Sequence, residues 1–119
     1  MRRLAATSFV IAVSLAVCGL SRADGTEKSV TGNMRDAYCD TTMDANGPSH
    51  KQCAISCARK GIPVVMVEKG SNKTYVLIPP KNDEPLPKEV IDKIEDNVTV
   101  TGKEYEKNGV SYIAVESVK

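Results

Sequence analysis

Val64-Val65-Met66-Val67 and Thr74-Tyr75-Val76-Leu77-Ile78 flank the polar run Lys69-Gly70-Ser71-Asn72-Lys73. β-Branched and aromatic side chains suit a pleated, half-buried surface, and Gly and Asn supply turn chemistry, so the stretch predicts a β-hairpin. Pro79-Pro80 ends it, because proline cannot donate to a strand ladder. Toward the C-terminus, Leu86, Val90 and Ile94 recur every fourth residue and predict a short helix ending near Asp96. Residues 98–105 and 110–118 then read as strands joined at Asn108-Gly109, a tight-turn dipeptide. Toward the N-terminus, Val30, Met34 and Tyr38 share one parity, which predicts a first strand over 29–38. Residues 40–48 have a loop composition. Ser49-His50-Lys51-Gln52 reads as a capping box opening a helix over 50–60. Gly61 takes the left-handed position behind that helix, Ile62 can make the contact that follows, and Pro63 prevents continuation. The order is strand, helix, strand, strand, helix, strand, strand. It predicts a mainly β (β+α) fold: a small five-stranded OB-like barrel. A Cys-bearing helix is inserted between strands 1 and 2, and a short helix lies between strands 3 and 4.

A chain of 119 residues suits one domain. Met1-Arg2-Arg3 is a positive start, residues 4–20 are apolar and uncharged, and Ser21-Arg22-Ala23 is a small-x-small site. This is the three-part pattern of a cleaved secretory signal over 1–23, which predicts a periplasmic or secreted protein. A lipoprotein signal at Cys18 fits less well, because Val17 is bulky where a small residue is expected. Residues 24–28 then form a flexible tail, and 29–119 form the domain. Cleavage removes Arg2, Arg3 and Arg22 and no acid, leaving 13 basic and 15 acidic residues, a net charge of −2. That balance excludes a general nucleic-acid binder. No second apolar run is long enough to span a bilayer.

The residues with chemical content are Cys39, His50, Cys53 and Cys57. On a helix, His50, Cys53 and Cys57 fall within an arc of about 60°. Cys39 ends the first strand, and the loop after it can fold back over the helix. Three thiols and an imidazole form a Cys3His donor set, which suits zinc or Cu(I). The rival for an exported chain is a disulfide from Cys39 to Cys53 or Cys57, leaving one spare thiol. Cys53 and Cys57 do not pair easily with each other, since i, i+4 side chains present poor disulfide geometry. A redox or nucleophilic thiol is the third reading, although Cys-x-x-Cys is missing and no second His accompanies the thiols. Asp36, Asp40 and Asp44 read as solvated loop acids, and Met34 and Met66 as core. Met43 reads as a loop residue near the cluster that could soften a copper site.

Gly32 through Cys39, then His50-x2-Cys53-x3-Cys57-x3-Gly61, then Val98-Thr99-Val100-Thr101-Gly102 and the closing strand together span nearly all of the mature chain. In these residues the chain resembles a group of small exported bacterial proteins with an OB-like barrel and no assigned activity. The resemblance implies the barrel and export, and no substrate. The residues lead to an exported, non-catalytic module coordinating a transition metal through Cys39, His50, Cys53 and Cys57. A disulfide-stapled domain binding an envelope protein or a saccharide stands as the alternative.

Overall fold

The computed structural model describes residues 24–119; the expected signal segment and Cys18 lie outside them. Five strands close a barrel: β1 (Thr26–Asp36), β2 (Val64–Glu68), β3 (Thr74–Ile78), β4 (Asn97–Lys107) and β5 (Val110–Val118), in the order β1-β2-β3-β5-β4. All neighbours are antiparallel except β3 and β5, which pair in parallel from Val76↔Tyr112 to Ile78↔Ala114. The expected OB-like order is therefore present. The expected hairpin is β2–β3, and the Asn108-Gly109 turn joins β4 to β5 with both residues at positive φ, 52° and 78°. That is the turn geometry which matches the right-handed twist of antiparallel strands.

β1 is long enough to serve both edges of the barrel. Its first part, from Thr26 to Asn33, pairs with β4, and its second part, from Gly32 to Asp36, pairs with β2. Gly32 lies where the two ladders overlap. A Cβ there would sit 2.0 Å from the Val67 carbonyl oxygen, so only glycine lets the strands approach. Gly102 plays the same part at the β4–β5 irregularity, where a Cβ would lie 2.0 Å from the Ala114 carbonyl oxygen. Val30, Met34, Val64, Met66, Tyr75, Leu77, Val98, Val100, Ile113 and Val115 fill the interior, as the period-two pattern requires. Each such side chain, fully buried, contributes roughly 1.5–3 kcal/mol.

Three helices dress the barrel: α1 (Ala37–Met43), α2 (Lys51–Arg59) and α3 (Lys88–Asp92). α2 packs on β1 and α3 and buries Ala54 and Ile55; α3 buries Val90. The end of α2 is as expected. Gly61 has φ 95°, its amide donates to the Ala58 carbonyl, and the Ile62 amide reaches back to Cys57. These two bonds define a Schellman motif. Among the described residues no helix is long and apolar enough to cross a membrane.

Four local expectations are corrected. The 24–28 tail is not loose from Thr26 onward, because Thr26, Glu27 and Lys28 pair with Glu104, Lys103 and Gly102 on the long β4. The first strand ends at Asp36 rather than Tyr38, which is 60% exposed on α1. Residues 40–43 are helical rather than loop, because the Asp36 carboxylate captures the Cys39 amide at 2.8 Å and turns the chain into α1. Ser49 makes no cap. Gly47, at φ 96°, and Pro48 open a 3-10 turn over Pro48–His50 ahead of α2, so Ser49 lies inside that turn instead of before a helix.

Gly32→Ala should lower stability by roughly 2–3 kcal/mol, as overpacking does. Denaturant titration measures it, and an unchanged midpoint would contradict the close approach described for this position.

Candidate metal centre

The junction from β1 to α1 and the start of α2 bring the reactive side chains together. Asp36 ends β1 on the same inward parity as Val30 and Met34, and none of its surface is exposed. Cys39 follows three residues later on α1 and is 4% exposed. His50 closes the 3-10 turn, and Cys53 and Cys57 stand one turn apart on α2. Cys57 is half-buried and Cys53 exposed.

The four ligands expected from the sequence fall into two overlapping groups. The sulfur atoms of Cys39, Cys53 and Cys57 all lie within 4.8 Å of one another. His50 instead joins Asp36 and Cys39, whose ligand atoms also lie within 4.8 Å of one another. His50 Nε2 is 2.9 Å from Asp36 Oδ2. An ionised carboxylate can only accept, so this contact puts the hydrogen on Nε2. All three described cysteines are free thiols.

Asp36 is the residue that sequence reasoning misplaced: it is a buried organiser, not a solvated loop acid. Burial pushes its carboxyl up. The Cys39 amide and the His50 ring, with a smaller contribution from the Cys39 thiol, more than offset this and hold it below the usual carboxylate range. The effect on Cys39 is the reverse. Burial, the hydrogen bond to Asp36 and the charge of that carboxylate push its thiol up to about 12. The Cys57 thiol is also raised, first by burial and then by neighbouring Cys53. Cys39 and Cys57 thus rest as protonated thiols that give up their protons when a metal binds. Asp40 is an ion-pair partner, at 2.8 Å from Arg35, and Met43, 60% exposed, ends α1.

Glu95 is a second acid that nothing in the sequence marked. It is 5% exposed and adopts φ 69° just before β4. Its amide donates to the Met34 carbonyl at 2.7 Å, and its Oε2 accepts from the Gly47 amide at 2.7 Å. Its other oxygen has no hydrogen-bond partner among the described residues. Lys51 pairs with the next residue, Asp96, at 2.6 Å. Glu95, Asp96 and Asp36 therefore hold the segment Gly47 to Lys51 against the barrel from three points, which fixes where α2 begins and where its thiols stand. The period-two pattern could have shown Asp36 facing inward. Glu95 carried no comparable signal, because it belongs to an irregular turn.

The chemistry available is coordination. Three soft sulfur donors converge, with a carboxylate–imidazole pair beside the deepest of them. No protein-family model, curated protein or solved structure matches this chain.

Burial, opposed by the Gly47 amide and by the charges of His50 and Arg35, raises the Glu95 carboxyl above its ordinary 4.5. Its contribution to stability is therefore fully present below that value and is lost as pH rises through the folded-state pKa. Glu95→Gln keeps an acceptor for Gly47 and removes the buried charge. It should melt higher than the parent at pH 7 and alike at pH 4; an equal shift at both pH values would contradict the burial argument.

Proposed function

We propose that this domain is an exported, non-catalytic carrier of Cu(I), held by the thiolates of Cys39, Cys53 and Cys57. The observation that carries the proposal is the convergence of three free thiols while His50 is engaged by Asp36. Soft thiolates select Cu(I) and zinc among the biological metals. Structural zinc takes four protein ligands in almost every case, and the three-sulfur group here offers one too few. Three sulfurs, with no fourth His, Cys, Asp or Glu grouped with all of them among the described residues, suit the softer monovalent ion.

On this reading Asp36 is an outer partner. It fixes the first turn of α1, and with it Cys39, through the Cys39 amide. It also fixes the His50 ring, and with it the approach to α2. Such outer-shell partners set the orientation of ligands without touching the metal. Export is supported by the positive start, apolar run and small-x-small site over 1–23.

The test is an anaerobic titration of the full chain with Cu(I) against a coloured Cu(I) chelator. One equivalent should bind tightly, and Cys39→Ser, Cys53→Ser and Cys57→Ser should each abolish that tight binding. His50→Ala should keep the stoichiometry and cost at most the roughly 10–100-fold that losing an outer-shell partner costs. It should also lower stability by about 2 kcal/mol, because a buried carboxylate loses a partner. A His50→Ala loss as large as the cysteine losses would establish a four-ligand site instead. Loss of two thiols in air, with no copper bound by the reduced protein, would favour the disulfide reading.

A further inference from the structure

The three thiols are not equivalent. Cys39 is 4% exposed and anchored through Asp36, Cys57 is half-buried, and Cys53 is exposed. Structural metal sites are closed by their ligands, whereas a site that must exchange keeps a position open. Around Cys53 on α2 the exposed neighbours are Gln52 and Ser56, both uncharged, one adjacent and one a turn away. Nothing charged or bulky from α2 itself guards that face. The two most exposed large apolar side chains among the described residues, Tyr38 and Met43, each at 60%, both belong to α1, the helix that carries Cys39. Tyr and Met are residue types enriched where proteins meet.

We infer that the site is built for handover, with Cys53 as the ligand displaced by a sulfur donor arriving from a partner protein. The inference rests on the copper reading above and extends it from holding the ion to passing it on. The step is a ligand substitution with no change of oxidation state. The incoming thiol gives up its proton as its sulfur bonds to Cu(I). The bond from copper to Cys53 breaks, and the released Cys53 thiolate takes up a proton. A second thiol from the partner then replaces Cys57 in the same way, and Cys39 leaves last, its thiolate taking a proton from water, so that the ion ends on two sulfurs of the partner. The order of release follows the order of exposure: Cys53 first, and Cys39 last because Asp36 and the barrel fix it. The partner is a protein presenting at least two sulfur donors on a surface with an apolar rim able to meet α1.

The experiment uses the full chain loaded anaerobically with one equivalent of Cu(I). Metal is captured by a fixed excess of bathocuproine disulfonate, a coloured chelator, while free cysteine is added in increasing amounts as the incoming thiol. The rate of capture should climb with cysteine concentration. Gln52→Trp and Ser56→Trp leave all three thiols in place and crowd only the approach to Cys53. Each should leave the equilibrium affinity for Cu(I) unchanged and slow the cysteine-assisted rate by roughly tenfold, since the incoming group must meet a specific patch. A rate that ignores cysteine, or that neither tryptophan variant alters, would overturn the handover inference while leaving copper binding intact. A chain that fails to take up one equivalent before mixing would overturn both readings.

Discussion

A single buried carboxylate organises this molecule. Asp36 has no exposed surface, and both of its oxygens are engaged. Its Oδ1 accepts from the Cys39 amide, ending β1 and starting α1; its Oδ2 meets the His50 ring and fixes the turn that leads into α2. Burying a carboxylate is costly unless hydrogen bonds compensate it, and here they more than do so. Removing Asp36 would free the first strand's exit, the orientation of Cys39 and the path into α2 together. The barrel contributes the rigidity that makes this possible. β1 runs from one ladder to the other across Gly32, so the position of Asp36 is set by pairing with β2 through Asp36↔Val64.

The same arrangement sorts the ligand atoms into two groups that meet at Cys39: Asp36 and His50 on one side of it, Cys53 and Cys57 on the other. By residue type and spacing alone, three cysteines and a histidine here read as a four-ligand set. In the fold, His50 is held toward the Asp36 carboxylate, and the sulfurs form their own group. Glu95 and Asp96 add to the arrangement by fastening Gly47 and Lys51 to the segment before β4. The proposed preference for a three-coordinate soft ion follows from this division rather than from the cysteines alone.

Much of the architecture was legible because its signals are local. The alternation of Val98 and Val100, the Asn108-Gly109 turn and the run Cys57 to Gly61 each depend on a few adjacent residues, and each adopts the form expected. Met34 and Met66 read as core and are fully buried. The failures share a different cause. Ser49 presents a credible cap, but Gly47 and Pro48 had already begun the turn, so a stronger local signal upstream took precedence. Residues 24–28 are polar, yet Thr26 to Lys28 are strand because β4, far away in sequence, continues to Lys107 and offers them a partner. The candidate site divides along the same line. The nearness of Cys53 to Cys57 follows from helical spacing, and their meeting with Cys39 was anticipated. The capture of His50 by Asp36 depends on how deeply the end of β1 is buried, and the dominance of aspartates at loop positions concealed it.

Under the proposed copper reading, the donor atoms around the ion are the deciding property. X-ray absorption at the copper edge, on full-length protein loaded anaerobically with one equivalent of Cu(I), reads the donor atoms directly. The account predicts a first shell of three sulfurs and no imidazole scattering, the same in the parent and in His50→Ala. A nitrogen donor with imidazole scattering in the parent, lost on that substitution, would contradict it.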